Sequence, residues 1–234
     1  MARPTLASFI AAGICFGLGA PLLAAEPPLA PQTASPASGP APADTNSNEK
    51  LRAAAEPFEK LTETAFEATL PAIDQTIGEA EVAARDIRTL LPTGAANRLD
   101  AQLAAMKSSR QKQDRAGLAL SSIEVYRVLV SAVADGAKIP TEVSLLDYAG
   151  FRYGADLKAN PARWGDMAEA VSFARENWTR LSSRAKSFQG ASAFEKVIAD
   201  MDKATAQRDV ALATLSAKAE LELVDQLETF FSAH

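Results

Sequence analysis

From residue 48 to the C-terminus, apolar positions recur at steps of three and four, and no stretch alternates with a period of two. That pattern predicts helices and no strands. The first helix has the seam Phe66, Leu70, Ile73, Ile77, Ala80, Ala84, Ile87 and Leu91, a heptad-like stripe. Pro57 marks its first turn, Pro71 is expected to kink or divide it near Thr69, and Leu91-Pro92-Thr93-Gly94 ends it. A second helix covers about Ala96 to Ala134, apolar in its later half through Ala119, Ile123, Tyr126, Val130 and Val133. Its middle, Lys107 to Arg115 (KSSRQKQDR), is nine polar residues in a row. At least one of them, Arg110 or Gln113, falls on the core-facing stripe. Two readings follow: an arch out to solvent, or a structural polar layer with Arg110 meeting Asp74 or Glu79 on the first helix.

Asp135-Gly136 closes the second helix and Pro140-Thr141 opens the third. Asn160-Pro161 reads as an N-cap followed by proline at the first helical position of a fourth helix. That helix has the cleanest heptad in the chain: Trp164, Met167, Val171, Ala174, Trp178, Leu181, Ala185 and Phe188. Gly190 separates it from a last helix running to the C-terminus. The expected fold is all-α, an elongated antiparallel bundle of about five helices. Three are long, near forty residues and so about 60 Å. The shorter third and fourth form a hairpin packed against them.

The third helix contains LLDYAGFRYGAD, with Gly150 and Gly154 one turn apart. Each glycine costs roughly 1 kcal/mol against alanine in a helix. Val143, Asp147, Gly150, Gly154 and Leu157 share one face. Either a neighbouring helix seats an indole, Trp164 or Trp178, over the glycines, or the glycines open the wall of a pocket. Packing is the expected answer. Asp147 on that face needs a partner, for which a tyrosine hydroxyl, a tryptophan N–H or Arg127 would serve. The alternative is a ligand-binding cavity formed by Asp147, Tyr148, Tyr153, Trp164 and Trp178.

The N-terminus changes the picture. Arg3 followed by near-continuous apolar sequence from Leu6 to Leu23 has the pattern of a secretory signal, residues 1–25. Residues 26–47, rich in proline, alanine and serine, read as a disordered linker, leaving residues 48–234 as the helical domain. The single cysteine, Cys15, lies in the signal and lacks the small residue before it that a lipoprotein signal places there. A periplasmic location without disulfides follows, with no membrane insertion once the signal is removed. Losing Arg3 takes the 24 basic residues to 23 against 29 acidic ones, which disfavours nucleic acid as a partner.

The only histidine is the terminal His234. A Ser–His–Asp triad, haem attachment, Glu-x-x-His di-iron ligation and histidine- or cysteine-based zinc sites therefore lack their residues. Glu220, Glu222, Asp225 and Glu228 cluster on the last helix, with Asp200, Asp202 and Asp209 upstream, and read as solvated faces. The expected function is that of a non-catalytic exported binding or scaffold protein, with no cofactor and an unspecified protein or small-molecule partner in the cell envelope. The alternative is a carboxylate- and tyrosine-based binder of a metal ion or small polar ligand near the third helix.

Overall fold

The computed structural model describes residues 45–134 and 136–233. The expected signal and all but the end of the expected linker lie outside the described residues, as do Asp135 and His234. The described residues are all-helical. Eight α-helices form: α1 Thr45–Thr64, α2 Leu70–Ile87, α3 Thr93–Gln111, α4 Arg115–Val130, α5 Thr141–Lys158, α6 Trp164–Leu181, α7 Ala191–Gln207 and α8 Val210–Ala233. A short 3-10 turn, Arg88–Leu90, follows α2. Each of the three long helices that the pattern predicts is divided once, so eight stand where five are expected. The longest, α8, has 24 residues and spans about 36 Å, well short of the expected 60 Å.

The divisions have local causes. Thr69 caps α2, its hydroxyl accepting from Ala72 N–H at 3.5 Å, with Pro71 in the first turn. Gln113 takes a left-handed conformation, φ 54°, and Asp114 then caps α4 by accepting from Gly117 N–H at 2.9 Å. Arg208 repeats the device at φ 53°, and Asp209 accepts from Leu212 N–H at 3.0 Å. A residue held left-handed reverses the chain, and an aspartate restarts it. Two expected starts also move. Pro57 lies inside α1, which begins at Thr45; Ala53, whose carbonyl the proline leaves without its helical donor, is on an exposed turn. Asn160-Pro161 stays in a loop that Arg163 N–H closes onto Asp156 O at 3.0 Å, so α6 begins only at Trp164.

The apolar stripes turn inward largely as the pattern predicts. Ile73, Ile77, Ala80, Ala84, Ile87 and Leu91 are buried, as are Met167, Val171, Ala174, Trp178, Leu181, Ala185 and Phe188. They build two cores, one from α1–α4 and one from α5–α8. α5 is the wall between them, sending Tyr148 and Ala155 into the first core and Val143, Leu146, Ala149 and Tyr153 into the second. It packs on α4, α6 and α8, while α1 packs chiefly on α2 and α4. No helix among the described residues is long and apolar enough to cross a membrane.

The first core is tied at the end of α1. The half-buried Arg115 guanidinium donates to the carbonyls of Ala65 and Ala68 at 2.6 and 2.8 Å, satisfying acceptors that the end of a helix leaves open. Ser122 reaches the Phe58 carbonyl at 2.8 Å. Replacing Arg115 with methionine is expected to cost about 1.5–3 kcal/mol, the range for hydrogen bonds to a charged group. Urea unfolding followed by circular dichroism checks this, and an unchanged midpoint would contradict it.

Candidate functional site

The two glycines of α5 do different things. A side chain at Gly150 would overlap the Glu220 carboxyl and come within 2.7 Å of Leu221 Cδ2, both from α8. At Gly154 nothing lies within 4 Å of where a Cβ would stand. Neither indole covers them. Trp178 stacks on Phe194 of α7, ring centroids 4.7 Å apart and planes at 17°, and Trp164 is half-buried against the second core. The expected tryptophan seat is therefore corrected: α8, not α6, faces the glycines, and it does so through a glutamate and a leucine.

Gly150 and Gly154 floor a groove of about 450 Å³ between α1, α5 and α8. Its walls are mainly apolar, with Phe66, Phe151, Leu157 and Leu221 prominent. Glu63, Lys158 and Lys218 are the charged residues that line it. Lys158 Nζ lies over the Phe66 ring, 5.0 Å from its centroid, and Lys218 pairs with Glu222 at 3.6 Å. The groove exists because α1 and α8 face each other across α5 without packing closely together.

Two buried acids, Glu220 and Asp147, stand behind α5's Gly150 face, with the half-buried Glu59 and Glu228 acting on Asp147. Glu220 is 0 % exposed, and neither carboxyl oxygen has a hydrogen-bond partner among the described residues. Burial, and then the nearby Asp147, push its pKa well above the ordinary value. Asp147, 7 % exposed, is likewise raised by burial first and by Glu59 next, while a hydrogen bond with Tyr126 works the other way. Tyr126 also bonds Ser144. Glu59 on α1 is pushed up to about 7, by burial first and then by Glu63, Glu228, Glu56 and Asp225. Glu228 is raised by burial and Asp225, and lowered by Arg52. Arg52 itself donates to Ile139 O at 2.7 Å and Ser144 Oγ at 3.3 Å.

The residues expected to form a ligand cavity point in different directions. Asp147 turns toward Tyr126. Tyr148 donates to Glu124 at 2.6 Å and accepts from Arg152 at 2.9 Å, with Arg127 over its ring. Its pKa rises to about 12, first through burial and then through the Glu124 bond. Tyr153 donates to Met201 O and accepts from Thr205 in the second core. None of Asp147, Tyr148, Tyr153, Trp164 and Trp178 lines the groove. In the expected polar layer, Arg110 holds Asp74 through two bonds of 2.6 and 2.7 Å, while Glu79 takes Gln75 and Lys60 instead. Gln113 sits in the turn between α3 and α4, on no core stripe. Glu220, expected on a solvated face, is instead fully buried. It stands in a heptad with Ala213, Ala217, Val224, Leu227 and Phe231, all buried, and that register was the signal available.

The two glycines give a paired prediction. Gly154→Ala adds helix propensity at an open position and is expected to stabilise by up to about 1 kcal/mol. Gly150→Ala overpacks Glu220 and Leu221 and is expected to fall below Gly154→Ala by about 1–3 kcal/mol. Equal melting temperatures would refute the assignment. The acids give a second. Glu59 shifts from 4.5 to about 7 on folding, so between those values the folded chain holds a proton that the unfolded chain releases. Stability is then full below pH 4.5 and declines as pH rises through about 7, and the raised Asp147 and Glu220 act in the same direction. Denaturant midpoints across this range should fall with rising pH, and less steeply in Glu220→Gln; a flat wild-type profile would contradict the burial argument. The chain matches no protein-family model, no curated protein and no solved structure, so the groove and its acids are read from geometry alone.

Proposed function

We propose that the helical domain is a non-catalytic binding protein of the cell envelope, exported by its N-terminal signal, that holds a small ligand in the groove between α1, α5 and α8. The observation that carries this reading is the open face at Gly154, a helix position without a side chain and without a neighbour to explain it. A groove of about 450 Å³ with mainly apolar walls and a few charged groups has the size and character of a small-molecule site. The Asp147–Glu220 pair supports a binding role over a catalytic one, because both carboxyls are shut away beneath the floor and touch nothing in the groove. A metal reading is disfavoured, since no three acidic or histidine side chains among the described residues converge as an ion requires.

The test uses an apolar dye and a plugged groove. Nile red is expected to bind the wild-type domain at one site and to lose that site in Gly154→Trp, whose indole fills the space above the floor. Gly154→Ala should keep it. Fluorescence titration reads both, and circular dichroism confirms that the variants fold. Equal binding by wild type and Gly154→Trp would place the dye elsewhere and end the groove reading.

A further inference from the structure

The sign of the charge that the groove recognises can be argued from its three charged lining residues, given that the groove is a ligand site. Lys158 is engaged with the Phe66 ring, and Lys218 with Glu222. Glu63, exposed at the rim, has no ion pair or hydrogen bond among the described residues. Further acids stand near it. Glu59 lies one turn away on α1; from α8, Asp225 acts on both and Glu228 on Glu59. Glu220, fully buried with both oxygens unbonded, is set against Gly150 directly behind the groove floor. Arg52, which acts on Glu228, also donates to Ile139 O and Ser144 Oγ.

We propose that the groove takes an organic cation with an apolar body, an alkyl- or aryl-ammonium compound. Its ammonium sits against Glu63 with Glu59 behind, and its body lies over Gly150 and Gly154. An ammonium suits the site where a metal ion does not. It needs one or two carboxylates rather than a converging set, and its alkyl part buries against Phe66, Phe151 and Leu221. A cation also relieves the repulsion between Glu63 and Glu59. An anionic amphiphile would have to break two existing lysine contacts and approach Glu63.

Three probes of one size separate the possibilities: hexylammonium, hexanol and hexanoate, titrated calorimetrically into wild type, Glu63→Gln and Gly154→Trp. Hexylammonium is expected to bind wild type about tenfold more tightly than hexanol, a ratio that one partly buried charge pair supplies, with hexanoate weakest. Glu63→Gln should erase that advantage while leaving hexanol binding unchanged, and Gly154→Trp should weaken all three. Hexanoate binding tightest, or hexanol equalling hexylammonium, would overturn the cation assignment and leave the groove reading standing. Failure of all three probes also overturns it, and the Nile red titration then decides separately whether the groove binds anything. A hexylammonium advantage that survives in Glu63→Gln would overturn the role given to Glu63.

Discussion

A carboxyl group with no partner is the most expensive thing to bury in a helical domain, and here the arrangement of three helices follows from where one was put. Glu220 lies on the inward stripe of α8, and its side chain fills the space that any residue larger than glycine at position 150 would need. As a charged group it could not stay there at tolerable cost. As a neutral acid it costs far less, which is the sense in which burial raises its pKa. The contact brings α8 against α5 at this level. On the other side, Glu59 of α1 meets the field of Asp225 and Glu228 of α8, and Glu63 that of Asp225. The groove lies nearer the start of α8, bounded there by Val210, Thr214, Ala217, Lys218 and Leu221.

The same helix carries the boundary between the cores. α5 is buried on most of its circumference, and several of its polar residues are met by neighbouring helices. Tyr148 and Arg152 join Glu124 on the α4 side, Tyr153 joins Thr205 on the α7 side, and Asp147 joins Tyr126 beneath the groove. Tyr148 and Tyr153 therefore act in separate places, holding α5 in register with α4 and α7. What they leave open is the Gly154 edge, where α1 and α8 do not pack together.

Much of the helical pattern was legible because burial in a helix obeys a fixed period. The stripes Ile73 to Leu91 and Met167 to Phe188 could be read directly, and both are buried. The breaks were harder. Gln113-Asp114 and Arg208-Asp209 each turn the chain with a non-glycine residue in the left-handed region, inside polar runs where no apolar period exists to be interrupted. An aspartate that caps a helix looks, in sequence, like one on a solvated face. Periodicity also says which residues share a face but not which helix lies opposite, so the glycine pair was visible while its neighbour, α8 in place of α6, was not. Glu220 was lost for a related reason: its register with Ala213 and Leu227 placed it inside, while its charge and its acidic neighbours suggested solvent.

Protons and cations are alternative answers to one electrostatic problem. Glu59, with Glu56 and Glu63 on its own helix, Asp225 and Glu228 across from it on α8 and Asp147 below on α5, sits in a field that favours its neutral form. A proton satisfies that field from within and stabilises the closed fold. An ammonium in the groove would satisfy it from outside, and would draw the pKa of Glu59 back toward the ordinary carboxylate range. Linkage makes the relation reciprocal, so whatever free energy the cation gains from ionised carboxylates is the free energy by which it displaces their protons. A loss of stability toward alkali and an affinity of the groove for an amine would then have a common origin, in acids folded together.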